Sequence, residues 1–167
     1  MNTVRITKEF DFEMAHALLG YDGLCKNIHG HSYKLSVTII GKPLEDKKSA
    51  KFGMLLDFRL LKKIVKDCII NKFDHALLLN KKYPRKLLSE IKNNFEKIIV
   101  SDYQPTSENI IIDFAKRIKK QLPENIELFS LKLHETATSY SEWYRDDNVW
   151  HQNLYNNNLT IQPLFGL

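Results

Sequence analysis

Only two cysteines, Cys25 and Cys68, occur in the 167 residues. That is too few for the disulfide framework of a small secreted scaffold, so reduced thiols in a cytoplasmic protein are the expectation. Long apolar runs are missing as well. No stretch approaches the ~20 apolar residues of a membrane span, and Met1 to Phe10 carries nothing resembling a secretory signal, so no membrane partner is expected. No repeat stands out at solenoid periods. Dense basic clusters are lacking too, although the net charge is +5, from 25 Lys+Arg against 20 Asp+Glu. A positive balance suits an anionic partner. The phosphates of a small substrate satisfy it as well as nucleic acid does, and the scattered lysines rank nucleic acid second. What is present, 43% hydrophobic and 27% charged residues, is ordinary for a soluble globular chain. Residues 1–167 are read as one domain, long enough to bury a sizeable core.

The chain is organised around Cys25-Lys26-Asn27-Ile28-His29-Gly30-His31. The segment continues through Ser32 to Ile40 as a β-strand of period two, which places His29 and His31 on the face that carries Tyr33, Leu35, Val37 and Ile39. Two imidazoles aimed together into an apolar face want a shared partner, and a divalent metal, usually zinc, is the natural one. Two ligands make a weak site, and an H-x-H pair also fits ordinary strand histidines. Upstream, Val4, Ile6, Phe10, Phe12 and Met14 alternate with polar residues, Lys8 being the exception, and the apolar phase lands next on His16. A loop of about a dozen residues separates the two strands, so antiparallel pairing would bring the three rings together. Three histidines with an open position make a catalytic arrangement. Cys25 fits either a fourth ligand or a free reactive thiol, and spacing leaves both open.

Further along, Gly41-Lys42-Pro43 breaks the strand and Leu44 to Lys51 reads as a loop or hairpin extension. Asp57 is an N-cap for a helix whose apolar face is Phe58, Leu61, Val65 and Cys68, with Cys68 a small core residue. Asp74-His75 follows. Adjacent side chains on a strand diverge, so the pair fits two surface residues as well as a catalytic dyad. Lys81 to Val100 is read as a surface excursion, with an amphipathic turn or two around Leu87, Leu88 and Ile91 and a short strand at Ile98 to Val100. A second helix opens at the N-cap Thr106 and buries Ile111, Phe114, Ala115, Ile118 and Leu122. The next strand carries Phe129, Leu131 and Leu133 on one face, with Glu135 next in phase; its carboxylate must find a partner or shift its pKa, unless the strand has already ended and it is solvated. Thr138 to Tyr144 forms a last strand, and residues 146–167 show no clear period. Strand pairs with helices segregated to one face give an α+β fold with a four-stranded antiparallel sheet and two helices, not a doubly wound one.

The blocks Phe10-x-Phe12-x-x-Ala15-His16, Cys25-x-x-x-His29-Gly30-His31-Ser32-Tyr33, Gly53-Met54-x-x-Asp57-Phe58, Phe73-Asp74-His75-x-x-Leu78-x-Asn80, Pro105-Thr106-Ser107-Glu108-Asn109 and Glu135-Thr136 together resemble the 6-pyruvoyltetrahydropterin synthase / 6-carboxytetrahydropterin synthase family. Their general look is closest to the bacterial 6-carboxy members. The resemblance implies a tunnelling fold, in which sheets of neighbouring subunits join into a barrel, two trimers stack into a hexamer, and active sites lie between subunits. It implies zinc on His16, His29 and His31, Cys25 as an unligated general base, His75 oriented by Asp74 as a proton relay, and Glu135 on the pterin's amino-pyrimidine edge. Thr106 and Ser107 are weaker candidates for pterin contacts. The family substrate is 7,8-dihydroneopterin triphosphate. Two products compete, 6-carboxytetrahydropterin on the path to queuosine and 6-pyruvoyltetrahydropterin for biopterin, and the motifs do not separate them. A zinc-stabilised binding scaffold without catalysis is the alternative from another class. Residues 44–51, 81–100 and the tail carry no family motif.

Overall fold

Alternation of apolar and polar residues sets the two longest strands, β1 (Val4–His16) and β2 (His29–Gly41). They pair antiparallel along their whole length, from Val4 opposite Gly41 to His16 opposite His29. The structure, a computed structural model, describes residues 2–148. Most of the expected tail therefore lies outside the described residues. Phe10, Phe12 and Met14 of β1 and Tyr33, Leu35, Val37 and Ile39 of β2 point into one core.

Asp57 caps the next helix as its sequence position predicts, its carboxylate accepting from the Arg59 amide at 2.8 Å. Helix α1 (Phe58–Val65) continues through a π-helical turn (Lys66–Ile70) into the short α2 (Asn71–Phe73). Leu61, Val65, Cys68 and Ile69 are buried against the sheet, whereas Phe58, expected on that face, is half exposed. Helix α4 (Ser107–Lys119) packs beside them and buries Ile110, Ile111, Phe114, Ala115 and Ile118. Its cap is Thr106, and Phe114 stacks edge-on against Phe73 with centroids 4.8 Å apart.

The sheet is larger than the four strands expected. Among the described residues its strands run, from one edge to the other, β4 (Ile98–Ser101), β3 (Ala76–Asn80), β1, β2, β5 (Glu127–His134) and β6 (Tyr140–Tyr144). The expected antiparallel strands are there as β1, β2, β5 and β6. Two more join the outer side of β1 in parallel, β3 and β4. The stretch 81–100 is thus not merely a surface excursion. It holds helix α3 (Arg85–Asn94), opened by Pro84 and burying no residue fully, and it delivers β4 to the sheet edge. A second departure lies in β5, where the register shifts between Thr38 and Ile39 of β2. The extra residue changes the phase, so Leu128 and Ile126 enter the core and Phe129 does not. Phe129 instead lies under the Arg5 guanidinium, 3.8 Å from the ring centroid.

Candidate metal centre

His16 ends β1 and His29 and His31 begin β2, so the register that pairs His16 with His29 gathers three rings at one end of the core face. Ring centroids lie 4.5 Å apart for His16 and His29, 5.2 Å for His16 and His31, and 4.9 Å for His29 and His31. One ligand atom from each falls within 4.8 Å of the others. Convergence alone would not select a metal, but the outer nitrogens do. His16 Nδ1 lies 2.6 Å from the Pro105 carbonyl oxygen, and His29 Nδ1 lies 2.9 Å from that of Asn27. A carbonyl can only accept, so in both rings Nδ1 carries the proton and Nε2 keeps its lone pair. Both Nε2 atoms are buried with no hydrogen-bond partner among the described residues. Buried nitrogens left open and aimed together fit a cation.

Charge at the site agrees. Burial pushes the His16 imidazole below its ordinary value, and the neighbouring rings add to that, against the Pro105 carbonyl and Glu135. Burial lowers His31 in the same way, with Glu135 opposing. Neutral imidazoles are the ligating form.

Glu135 follows directly on the end of β5 and does not turn to solvent. Its Oε1 lies 3.6 Å from His16 Nε2 and 3.8 Å from His31 Nε2, and it accepts from the Tyr33 hydroxyl at 3.3 Å. Burial and that carboxylate push the Tyr33 phenol far above its ordinary value, so it remains a donor. Cys25 sits half-buried in the short turn Leu24–Lys26, unbridged, its carbonyl accepting from the Leu18 amide. Cys68 is buried and apart, in the helix core, as its sequence position predicts.

Asp74 and His75 do form a pair, with His75 Nδ1 2.9 Å from Asp74 Oδ1. The same carboxylate oxygen accepts from the Glu13 amide at 3.0 Å. Burial raises Asp74, but the Glu13 amide, His75 and Lys97 together outweigh it and hold the carboxyl below its usual range. The His75 ring is exposed and borders a cleft lined by Glu13, Met14, Ala15, Gly30, His31 and Ser32. Among the described residues no hydrogen bond or ion pair joins Asp74 or His75 to His16, His29 or His31. Thr106 and Ser107 stand at the start of α4, beside the Pro105 carbonyl that holds His16.

Sequence reasoning missed Pro105 and Asn27 as partners of the ligands, because each acts through a main-chain oxygen. It missed Tyr33 as the partner of Glu135 as well, though the hydroxyl lies in phase with His29 and His31.

Residues 5–146 match the family model described as 6-pyruvoyl tetrahydropterin synthase. The chain belongs to that family. Relatives named 6-carboxy-5,6,7,8-tetrahydropterin synthase include one from Haemophilus influenzae, 38% identical over 143 residues that cover 83% of this chain and 97% of the relative. Another, from Synechocystis, is 38% identical over 140 residues, 83% of this chain and 92% of its own. The likeness to bacterial 6-carboxy members is thereby borne out. Among solved structures, an uncharacterized protein from Wolinella succinogenes aligns with a TM-score of 0.70 at 20% identity, over 87% of this chain and 99% of that one. The 6-pyruvoyl tetrahydropterin synthase of Caenorhabditis elegans aligns at 0.60 and 24% identity, over 86% and 96%. These two likenesses speak for the family fold. The family match stops at residue 146, where the tail begins.

Proposed function

We propose that the chain is a zinc-dependent carbon–carbon lyase that converts 7,8-dihydroneopterin triphosphate to 6-carboxy-5,6,7,8-tetrahydropterin, acetaldehyde and triphosphate, a step towards queuosine and other deazapurines. The observation that carries this reading is the pair of buried, unpartnered Nε2 atoms of His16 and His29, gathered with His31, in a chain whose relatives bear that enzyme's name. His16, His29 and His31 would hold the zinc, which when bound supplies a Lewis acid for the substrate's side-chain oxygens.

The remaining roles fall to the chain's own groups. Cys25, free and half-buried a few residues before His29, takes a proton from the substrate's side chain as general base. Glu135 accepts two parallel N–H bonds from the amino-pyrimidine edge of the pterin, held in place by the Tyr33 hydroxyl. Thr106 and Ser107 border the same end of the sheet and offer hydroxyls to the ring. Asp74 orients His75, which relays protons. A neighbouring copy supplies this pair to the site, which makes the active unit an oligomer, a trimer or dimer of trimers.

The description of the family model favours a second reading, triphosphate elimination to 6-pyruvoyltetrahydropterin by the same residue types. Incubating zinc-loaded protein with dihydroneopterin triphosphate and assaying acetaldehyde decides between them. Acetaldehyde in step with the carboxy product is the expected result; a pyruvoyl product without acetaldehyde overturns the choice.

A further inference from the structure

The peptide that joins Asp74 to His75 is tied at both ends. Its N–H, that of His75, donates to the Glu13 carbonyl at 2.6 Å, and its C=O, that of Asp74, accepts from the Lys97 ammonium. Fixing both ends fixes the rotation of the peptide plane, and with it the backbone of both residues. His75 has φ +60°, the one positive value at a non-glycine position among the described residues. Side chains adopt that left-handed conformation only where the surroundings enforce it. Here it turns the ring outward while keeping Nδ1 on the Asp74 carboxylate.

Lys97 is set apart from the other lysines of its segment. It is half-buried, and it is the last residue before β4. Its own carbonyl accepts from the Leu77 amide at 3.0 Å, so its main chain is anchored two residues beyond His75. With His75, Ala15, Ile28 and Phe95 it lines a cavity of about 810 Å³. A long, flexible ammonium loses rotamer freedom and hydration when held at one carbonyl in a partly closed cavity, so the contact must be enforced by the fold around it. What enforces it is the stretch 81–101, in which α3 and β4 carry the lysine to the sheet edge.

We propose that Lys97 is a positioning residue for the Asp74–His75 pair: by holding the Asp74 carbonyl it fixes the turn that presents the His75 ring. The stretch without family motifs thus has a task at the active site. This rests on the reading that the pair moves protons in the reaction proposed above.

The test compares Lys97→Met with Lys97→Arg in zinc-loaded full-length protein. Lys97→Met is expected to lower kcat about ten- to hundredfold with KM within about twofold, since small misplacements of a reacting group carry penalties of that order. Zinc content stays unchanged, and the His75 ring resonances in an NMR spectrum move. Lys97→Arg, which keeps a cationic donor, restores kcat to within about threefold and returns the His75 resonances. If Lys97→Met fails to fold, Lys97→Gln takes its place. Wild-type kcat together with unmoved His75 resonances in Lys97→Met overturns the proposal. Full turnover in His75→Ala overturns the relay instead, and the resonance comparison then still decides whether Lys97 sets the turn.

Discussion

His16 Nδ1 donates to the carbonyl oxygen of Pro105 at 2.6 Å, across 89 positions of sequence. That bond joins the last residue of β1 to the loop that opens α4, and it leaves His16 Nε2 free for a cation. Thr106, the next residue, caps α4 with its hydroxyl on the Asn109 amide at 3.4 Å. Thr106→Ala is therefore expected to cost about 1 kcal/mol of stability in urea unfolding. By loosening the Pro105 carbonyl it also weakens zinc binding about tenfold or more in a chelator competition. Unchanged zinc affinity would show that Pro105 does not orient the ligand.

Acid should destabilise the metal-free protein before it reaches the carboxylates. Burial holds His16 and His31 below the ordinary value of 6.5, so the unfolded chain takes up protons first as the pH falls. The stability these neutral rings contribute is present above 6.5 and is lost as the pH drops through their folded values. Thermal melts in chelator at about pH 7.5 and about pH 5.5 should show a lower melting temperature at the acid end. A flat or rising profile would contradict the sign.

Cys25 separates catalysis from metal holding. Cys25→Ala is expected to keep full zinc content and assembly, by metal analysis and light scattering, while turnover falls below detection. Loss of metal or of fold in that variant would support a structural thiol and the non-catalytic scaffold.

The Glu135 carboxylate is expected to act on substrate binding. Glu135→Gln replaces a charged acceptor with a neutral amide and should raise KM about ten- to hundredfold, the range for losing charge-assisted hydrogen bonds. Tyr33→Phe, which removes the donor at 3.3 Å, should move KM in the same direction by less. An effect of Glu135→Gln confined to zinc content would place the carboxylate on the metal instead.

Much of this site could be read from the sequence. Alternation carried His16, His29 and His31 onto one face, and the long antiparallel pairing of β1 with β2 followed from the same pattern. Phase also carried Glu135 to the cluster, although the bulge in β5 took Phe129 off the face on which the phase had placed it. The short strand expected at Ile98 to Val100 is there as β4, but β3 and the parallel pairing of both were harder to read. β3 has five residues and β4 four, and a parallel partner leaves no hairpin signal between them. Helix α3 buries no residue fully, so its weak apolar stripe suggested only an amphipathic turn or two rather than a ten-residue helix. The carbonyls of Asn27 and Pro105 have no side-chain signature at all, which is why the groups that free the ligand nitrogens emerged only from the fold.

In the proposed site one cation is held by three imidazoles beside a thiol that does not touch it. Zinc K-edge absorption on the loaded protein tests it most directly. The expected first shell is nitrogen and oxygen at about 2.0–2.1 Å with three histidine signatures and no sulfur. A sulfur neighbour at about 2.3 Å would place Cys25 on the metal and contradict its role as the free base.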